Sequence, residues 1–174
     1  MVCCAGYCRL ARYRFESYLD QMGIDLDGSV LDVACGPVSL ACLYDDVYGH
    51  DNSPAFVDHL AERGVPARLA DITELDYPSR SFCYVVYFNP PMKPFRRRGD
   101  ARAEIRRFVE EMLRIARKMV IIRSGPVMDY LPPEYDHLVE CRGTNYIVYR
   151  AEGCRSGPAS ARSDPSNLAF RCRS

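Results

Sequence analysis

Apolar residues along this chain form short continuous runs, and these alternate with segments in which they recur at helical spacing. The runs are typical of buried strands and lie at residues 30–34, 47–50, 67–70, 82–88 and 119–122. Two more strand-like runs, at residues 137–141 and 146–150, are joined around Gly143, Thr144 and Asn145. The pattern predicts a sheet that ends in an antiparallel hairpin.

Helical spacing of apolar residues is found at residues 10–22 and 101–118, and a shorter helix is expected at residues 39–44. The residues predicted for the buried face of the long helix are Ile105, Phe108, Val109, Met112, Leu113 and Ala116. Another helix has clear boundary signals, with Ser53 as N-cap, Pro54 at the first position and Gly64 just past the end. Its predicted buried face consists of Phe56, Val57, Leu60 and Ala61.

This alternation of strands and helices predicts an α/β fold with a mostly parallel sheet and helices on both faces. Residues 1–150 form one predicted domain. Residues 151–174 are rich in Ser, Gly, Pro and Arg without periodicity, which predicts a disordered tail. In open sheets of this kind, ligands bind at the carboxyl ends of the strands.

Composition agrees with a globular protein: 174 residues, of which 48% are hydrophobic and 26% charged. No apolar run approaches the roughly 18–20 residues that a membrane helix needs, and the first residues lack the apolar stretch of a signal peptide. We therefore expect a cytoplasmic protein with no membrane partner. Nine cysteines without CxxC or Cys-His spacing make a metal site unexpected, and buried thiols are the simplest interpretation for Cys35, Cys42, Cys83 and Cys141.

The net charge is zero, but residues 93–118 hold ten basic and four acidic side chains. Arg96, Arg97 and Arg98 lie in a proline-rich loop without nearby acids, which favours contact with a nucleic acid or another polyanion. Along the helix, the pairs Arg106–Glu110 and Arg107–Glu111 favour a solvated face instead.

Three acidic residues lie at consecutive predicted strand ends: Asp32, Asp51 and Asp71. A glycine turn with an acid about 20 residues later is typical of dinucleotide folds, but the G-x-G-x-x-G fingerprint is absent. A carboxylate under the turn repels a pyrophosphate and attracts a ligand with ammonium and sulfonium charges, such as S-adenosyl-L-methionine. Asp51 would then accept the ribose hydroxyls and Asp71 the adenine amino group.

Each acid also has a purely structural interpretation. Asp32 could cap a neighbouring turn, and Asp51 or Asp71 could be an ordinary residue at the start of a helix. Their joint spacing favours the cofactor site.

Taken in order, the segments VLDVACGP, GHDNSP, LADITEL and SFCYVVYFNPP resemble the motifs of class I S-adenosylmethionine-dependent methyltransferases over residues 8–150. This resemblance implies a Rossmann-like, seven-stranded sheet with an antiparallel last strand. The cofactor-binding residues that it implies are Asp32, Ala34, Cys35, Gly36, Pro37, Asp51, Asn52, Ser53, Asp71, Ile72 and Asn89. Val38 replaces a common glycine of the family, and Cys83 replaces a frequent aspartate.

Asn89-Pro90-Pro91-Met92 resembles the [DN]PP[YFW] motif of enzymes that methylate amino or amide nitrogen. The lone pair of such a nitrogen is delocalised, so acceptors from the Asn89 side chain and the Pro90 carbonyl would make it more nucleophilic. The two prolines fix these acceptors in place, which makes Asn89, Pro90 and Pro91 the expected catalytic residues.

At the position of Met92 the family usually has an aromatic ring that stacks on the target. Tyr87, Phe88 or Phe95 could supply a ring instead. Met92 and the three loop arginines are the expected substrate-binding residues.

We therefore expect methyl transfer to a nitrogen of a macromolecule, RNA or DNA before protein, with loops, the first helix or a partner subunit reading the target. A small-molecule methyltransferase is the second hypothesis. The third is a methyltransferase-like binding subunit that has lost activity.

Overall fold

The computed structural model describes residues 5–88, 100–131, 133–143 and 145–149. Its strands are β1 Val30–Val33, β2 Val47–Asp51, β3 Ala67–Leu69, β4 Phe82–Phe88, β5 Ala116–Arg123, β6 Val139–Arg142 and β7 Asn145–Tyr149. Its helices are α1 Ala5–Met22, α2 Pro54–Ala61, α3 Ala101–Ile115 and α4 Gly125–Met128, with 3-10 helices at Leu40–Cys42 and Pro133–Leu138. The predicted disordered tail, residues 151–174, lies outside the described residues.

All seven strands form one sheet in the order β3-β2-β1-β4-β5-β7-β6. Strands β1 to β5 pair in parallel, whereas β7 runs antiparallel to both β5 and β6. This confirms the mostly parallel α/β sheet with its C-terminal antiparallel hairpin.

The sheet has its topological switch point between β1 and β4. From β1 the chain adds β2 and β3 on one side, then crosses back to place β4 on the other side. All four residues of β1 and six of the seven in β4 are buried, as expected for central strands covered on both faces. The carboxyl ends of β1 and β4 are therefore where a ligand crevice is expected in such folds.

Two apolar layers cover the sheet. Helix α1, the first 3-10 helix and α2 contribute the buried residues of one layer, and α3 contributes those of the other. Residues of the first layer include Phe15, Leu19, Met22, Leu40 and Leu60; those of the second include Ile105, Phe108, Val109 and Met112.

Helix α3 carries the predicted apolar face but ends earlier than predicted. All six side chains of that face are buried, and Asp100 caps the helix by accepting from the N–H groups of Arg102 and Ala103 at 3.0 and 3.2 Å. The predicted end at residue 118 is wrong, because Ala116 is already extended and pairs with Phe82 in the sheet. The last three predicted helical residues therefore belong to β5.

The boundary signals of α2 are confirmed, but its predicted face is wrong. Gly64 has a φ of +68°, and Val65 donates its N–H to the Leu60 carbonyl at 3.0 Å, which closes the helix. Only Leu60 is buried in this helix, and Phe56 is 38% exposed. The helix packs on β2 and the edge strand β3, so it lies at the border of the sheet rather than over its centre.

Charged pairs on α3 partly follow the prediction. Arg106 contacts Glu110 at 3.1 Å, as predicted, and also Glu134 at 2.9 Å. The predicted Arg107–Glu111 pair is wrong: Arg107 contacts Glu104 at 3.8 Å, because Glu111 is bound by Arg114 at 2.7 Å.

Cys35 and Cys42 are buried and form no disulfide, and Cys83 is half-buried and likewise not disulfide-bonded. Cys141 was expected to be a buried thiol, but it is half-exposed and disulfide-bonded. Within the described ranges, no helix has the length and apolarity to cross a membrane, and no three His, Cys, Asp or Glu side chains are grouped to hold a metal ion.

Arg114 supports the irregular crossover between β3 and β4, which contains no helix. Its guanidinium donates to the carbonyl of Leu75 at 3.1 Å and to that of Tyr77 at 2.9 Å. The crossover borders the predicted adenine end of the site, so this one side chain helps to fix that end.

We expect Arg114→Met to lower the free energy of unfolding by about 2 kcal/mol, because both carbonyls lose a charged donor while the stem keeps its packing. Urea unfolding measures the loss. Arg107 lies on the same helix and makes one longer ion pair, so Arg107→Met is the control. It should lower the free energy of unfolding by less than about 0.5 kcal/mol. Equal losses in the two variants would contradict the anchoring role.

Candidate cofactor and acceptor site

The turn after β1 has two residues in the left-handed region, Ala34 with φ 52° and Gly36 with φ 65°. Alanine in this conformation costs roughly 1–2 kcal/mol, so the surrounding structure must hold it there. A Cβ built on Gly36 would meet no atom of the protein within 4 Å. A ligand can therefore approach the backbone of Gly36 closely, and a side chain there would occupy that space.

Backbone N–H groups of this turn are already engaged. Cys35 donates to the carbonyl of His50 at 3.2 Å, Gly36 donates to Asp51 Oδ2 at 2.9 Å, and Pro37 has no N–H. A pyrophosphate bound at such a turn depends on free N–H donors. From residue 35 to residue 37 none is available, which agrees with the missing glycine fingerprint.

Asp32 is 2% exposed and organises the next segment of chain. Its Oδ2 accepts from the Ser39 hydroxyl at 2.7 Å and from the N–H of Leu40 at 2.9 Å, while Ser39 Oγ accepts from the N–H of Ala41 at 3.1 Å. This is the capping role that the sequence left open for Asp32. The carboxylate lies one residue from the end of β1 and places negative charge beneath the turn.

Asp51 is 5% exposed and joins two predicted cofactor segments. Its Oδ2 accepts from Gly36, and its Oδ1 accepts from the N–H of Ser53 at 2.9 Å. Asn52, which lies between Asp51 and Ser53 in the chain, is exposed, and the Ser53 side chain makes no capping hydrogen bond to α2. The structure thus brings the β1 turn and the end of β2 together around one carboxylate.

Asp71 begins a tight turn after β3. Its Oδ1 accepts from the N–H and the hydroxyl of Thr73, at 2.9 and 2.8 Å. Ile72, a predicted cofactor contact, is 2% exposed and packs into the apolar core. A contact between this segment and the cofactor would therefore come from Asp71 or from the backbone rather than from the Ile72 side chain.

The side chain of Cys35, another predicted cofactor contact, also lies in the core. Its thiol is 3% exposed and faces the core, so close that a Cβ on Gly49 would lie 3.0 Å from the sulfur. Burial raises the pKa of the Cys35 thiol, with the nearby Asp32 and Asp51 carboxylates adding to the effect. Cys35 can serve a cofactor through its backbone alone.

His50 borders the candidate site and was not among the residues that the sequence analysis predicted. It is fully buried in β2 next to Asp51, and its ring nitrogens lie 3.2 Å from the Tyr77 hydroxyl and 3.1 Å from the Asp71 carbonyl. The available signal was a histidine inside an apolar strand, directly before the acid at its end.

At the acceptor end, the described chain stops at Phe88. The predicted catalytic residues Asn89, Pro90 and Pro91 and the predicted substrate-binding residues Met92, Arg96, Arg97 and Arg98 lie outside the described residues. Tyr87 and Phe88 are 0% and 3% exposed, so neither is placed to replace the missing aromatic ring at Met92. That suggestion is wrong for both rings, and Phe95 also lies outside the described residues.

Arg123 places a positive charge beside this end of the sheet. It is the last residue of β5 and pairs with Phe88 in the register of the two strands. Its guanidinium carbon lies 3.6 Å from the centroid of the Tyr18 ring, which fixes the cation over the aromatic face. Tyr18 also packs against Phe88, with ring centroids 5.7 Å apart. Helix α1 therefore packs against the carboxyl ends of β4 and β5.

No protein-family model matches the chain, and no curated protein matches it in sequence. Among solved structures, a Thermoplasma acidophilum protein matches at a TM-score of 0.54 and 17% identity, over 82% of this chain and 86% of that one. A Thermotoga maritima SAM-dependent methyltransferase, described as a possible histamine N-methyltransferase, matches at 0.50 and 18%, over 67% of this chain and 54% of that one. A Pyrococcus horikoshii protein matches at 0.50 and 22%, over 66% of this chain and 53% of that one.

The chain thus spans about half the length of the last two proteins. At these identities the likeness shows the fold. The fold is the Rossmann-like fold that SAM-dependent methyltransferases share.

Proposed function

We propose that this protein is an S-adenosylmethionine-dependent methyltransferase. The observation that carries the proposal is the turn after β1, where the N–H groups of Cys35 and Gly36 are bonded within the protein and Pro37 has none. Asp32 and Asp51 surround that turn with negative charge, while space above Gly36 is open. This combination suits a positively charged sulfonium nucleoside and disfavours a phosphorylated one.

The described residues fit the cofactor by position. Asp51 would hold the ribose hydroxyls, Asp71 the adenine amino group, and the Ala34–Gly36 turn with the charge of Asp32 the methionine end. When bound, S-adenosylmethionine supplies a methyl group already activated by the sulfonium. The protein then has to position the acceptor in line with that methyl and exclude water.

Asn89 and Pro90 would bind the acceptor nitrogen in the way that the sequence motif suggests. The Asn89 side-chain oxygen and the Pro90 carbonyl accept its two N–H hydrogens, which localises the lone pair on nitrogen. A residue before proline favours an extended conformation, so Pro91 would restrain Pro90 and both acceptors would be in place before the substrate arrives. No general base is required before the methyl is transferred in this scheme, and the extra proton on the methylated nitrogen is released to water afterwards.

For the acceptor we propose a nitrogen of RNA or DNA. The loop arginines Arg96, Arg97 and Arg98 of the sequence and the Arg123 cation beside the end of β4 support a substrate with phosphate groups. A small-molecule acceptor remains the second hypothesis and an inactive binding subunit the third.

Titration calorimetry with S-adenosylmethionine and with NAD⁺ tests the class of ligand. We expect heat from the sulfonium nucleoside and none from the dinucleotide. Absence of heat from S-adenosylmethionine at high concentration would overturn the proposal and favour the binding-subunit hypothesis.

A second experiment tests the acceptor. Affinity for bulk RNA is expected to fall steeply as salt is raised, because each phosphate contact releases counterions. Weak binding without a salt slope would remove the nucleic-acid hypothesis. Methyl transfer from labelled donor to fractionated cell extract would then identify the acceptor class.

A further inference from the structure

The end of β2 connects the three segments that we assign to the cofactor. The carbonyl of His50 accepts from Cys35 of the β1 turn at 3.2 Å, and the carbonyl of Asp51 accepts from Ala70, just before Asp71, at 3.0 Å. The Asp51 carboxylate adds bonds to Gly36 and Ser53. These backbone bonds continue the sheet pairing of Val33 with His50 and of Leu69 with Asp51, and side chains add further restraint.

The His50 imidazole supplies that restraint between β2 and the Asp71 turn. A carbonyl oxygen has no hydrogen to donate, so Nε2 carries the proton and donates to the Asp71 carbonyl at 3.1 Å. Nδ1 is then unprotonated and accepts from the Tyr77 hydroxyl at 3.2 Å. Burial lowers the pKa of His50, which keeps the ring in the neutral form that this arrangement requires.

Tyr77 is held in turn by its surroundings. Its ring packs edge-on against Phe82 with centroids 5.3 Å apart, and the Arg68 guanidinium lies 5.3 Å from the ring centroid. Its carbonyl accepts from Arg114 at 2.9 Å. The tyrosine hydroxyl therefore fixes the plane of the His50 ring, and the ring in turn fixes the carbonyl of Asp71.

We propose that His50 is a positioning residue that sets the Asp71 turn against Asp51 and thereby tunes affinity for the adenosyl part of the donor. This inference rests on the proposed function. The Asp71 carbonyl also accepts from the N–H of Glu74 at 3.0 Å inside its own turn, and the His50 imidazole ties this carbonyl to β2. We expect the turn to shift relative to β2 when the imidazole bond is lost, whereas the Asp51 carboxylate keeps its own partners. The expected defect is in donor binding, with chemistry and acceptor binding preserved.

Two amide variants of His50 test the proposal. The amide nitrogen of His50→Gln reaches the position of Nε2 and keeps a donor toward Asp71, whereas the shorter side chain of His50→Asn reaches only the Nδ1 position. We expect His50→Asn to raise the Kd for S-adenosylmethionine about 10-fold and His50→Gln to change it less than about 3-fold. In both variants, kcat at saturating donor and KM for the acceptor should match the parent protein.

Tyr77→Phe is the matched control, because it removes the hydroxyl and leaves the Nε2–H bond to Asp71. Its donor affinity should lie between that of the parent and that of His50→Asn. Thermal melts identify a temperature at which all variants are folded, and binding is compared there.

The outcomes separate the two proposals. If the parent protein binds S-adenosylmethionine but the Asn and Gln variants bind it equally well, His50 has no positioning role and the inference is overturned. If the parent itself does not bind, the proposed function fails and the inference fails with it. A drop in kcat with unchanged donor affinity would also overturn the positioning role.

Discussion

Asp51→Ala is expected to weaken binding of S-adenosylmethionine at least about 100-fold. The variant removes the carboxylate that would accept the ribose hydroxyls, and two charge-assisted hydrogen bonds are together worth roughly 3 kcal/mol or more. It also frees the N–H groups of Gly36 and Ser53, which loosens the turn on which the methionine end would rest. Titration calorimetry measures the change.

Two further variants test whether the loss of affinity is specific to the Asp51 carboxylate. Asp51→Asn keeps one acceptor oxygen and should fall between the parent and the alanine variant. Asp58→Ala removes an exposed carboxylate from α2 and should leave donor affinity unchanged. If all three variants bind the donor like the parent, the cofactor does not contact the end of β2.

Asn89→Ala is expected to slow methyl transfer about 100- to 1,000-fold while donor affinity stays within about 3-fold of the parent. Loss of one preorganised acceptor at the reacting nitrogen has an effect of this size, because the bond strengthens only as charge develops. Single-turnover transfer of labelled methyl measures the rate, and calorimetry measures the affinity.

Asn89→Asp is the matched control for that variant, since a carboxylate oxygen also accepts an N–H. It should retain most of the activity that alanine loses. Unchanged turnover in Asn89→Ala would contradict the amino-nitrogen mechanism, although the assignment of the donor site would stand.

The sheet was predictable because its central strands carry a local signal. The run FCYVVYF predicts β4 with the bounds that the structure shows, since a strand covered on both faces must be apolar at nearly every position. The apolar face of α3 was predictable for the same reason, because its 3.6-residue spacing identifies the face before any partner is known. The end of α3 was not predictable, because it is set by the pairing of Ala116 with Phe82, two residues far apart in sequence.

In the candidate site, the sequence predicted three acids at strand ends but could not tell which neighbouring side chains face the core. Asp51 and Gly36 were both predicted, and the structure joins them by a hydrogen bond. Cys35 and Ile72 lie in the same motifs, yet their side chains point into the core. A sequence motif fixes where a residue lies along the backbone. The direction of its side chain depends on which elements pack on each side of that backbone.

The amino-acid sequence by itself determined the alternation of strands and helices and the acidic residues at the strand ends, because apolar periodicity and turn chemistry act over a few residues. Tertiary structure alone decided that Asp32 caps a 3-10 helix, that Arg114 binds the crossover and that His50 reaches the carbonyl of Asp71. Those contacts join segments brought together by the sheet order, and a buried polar group selects its partner only among the groups that folding places beside it.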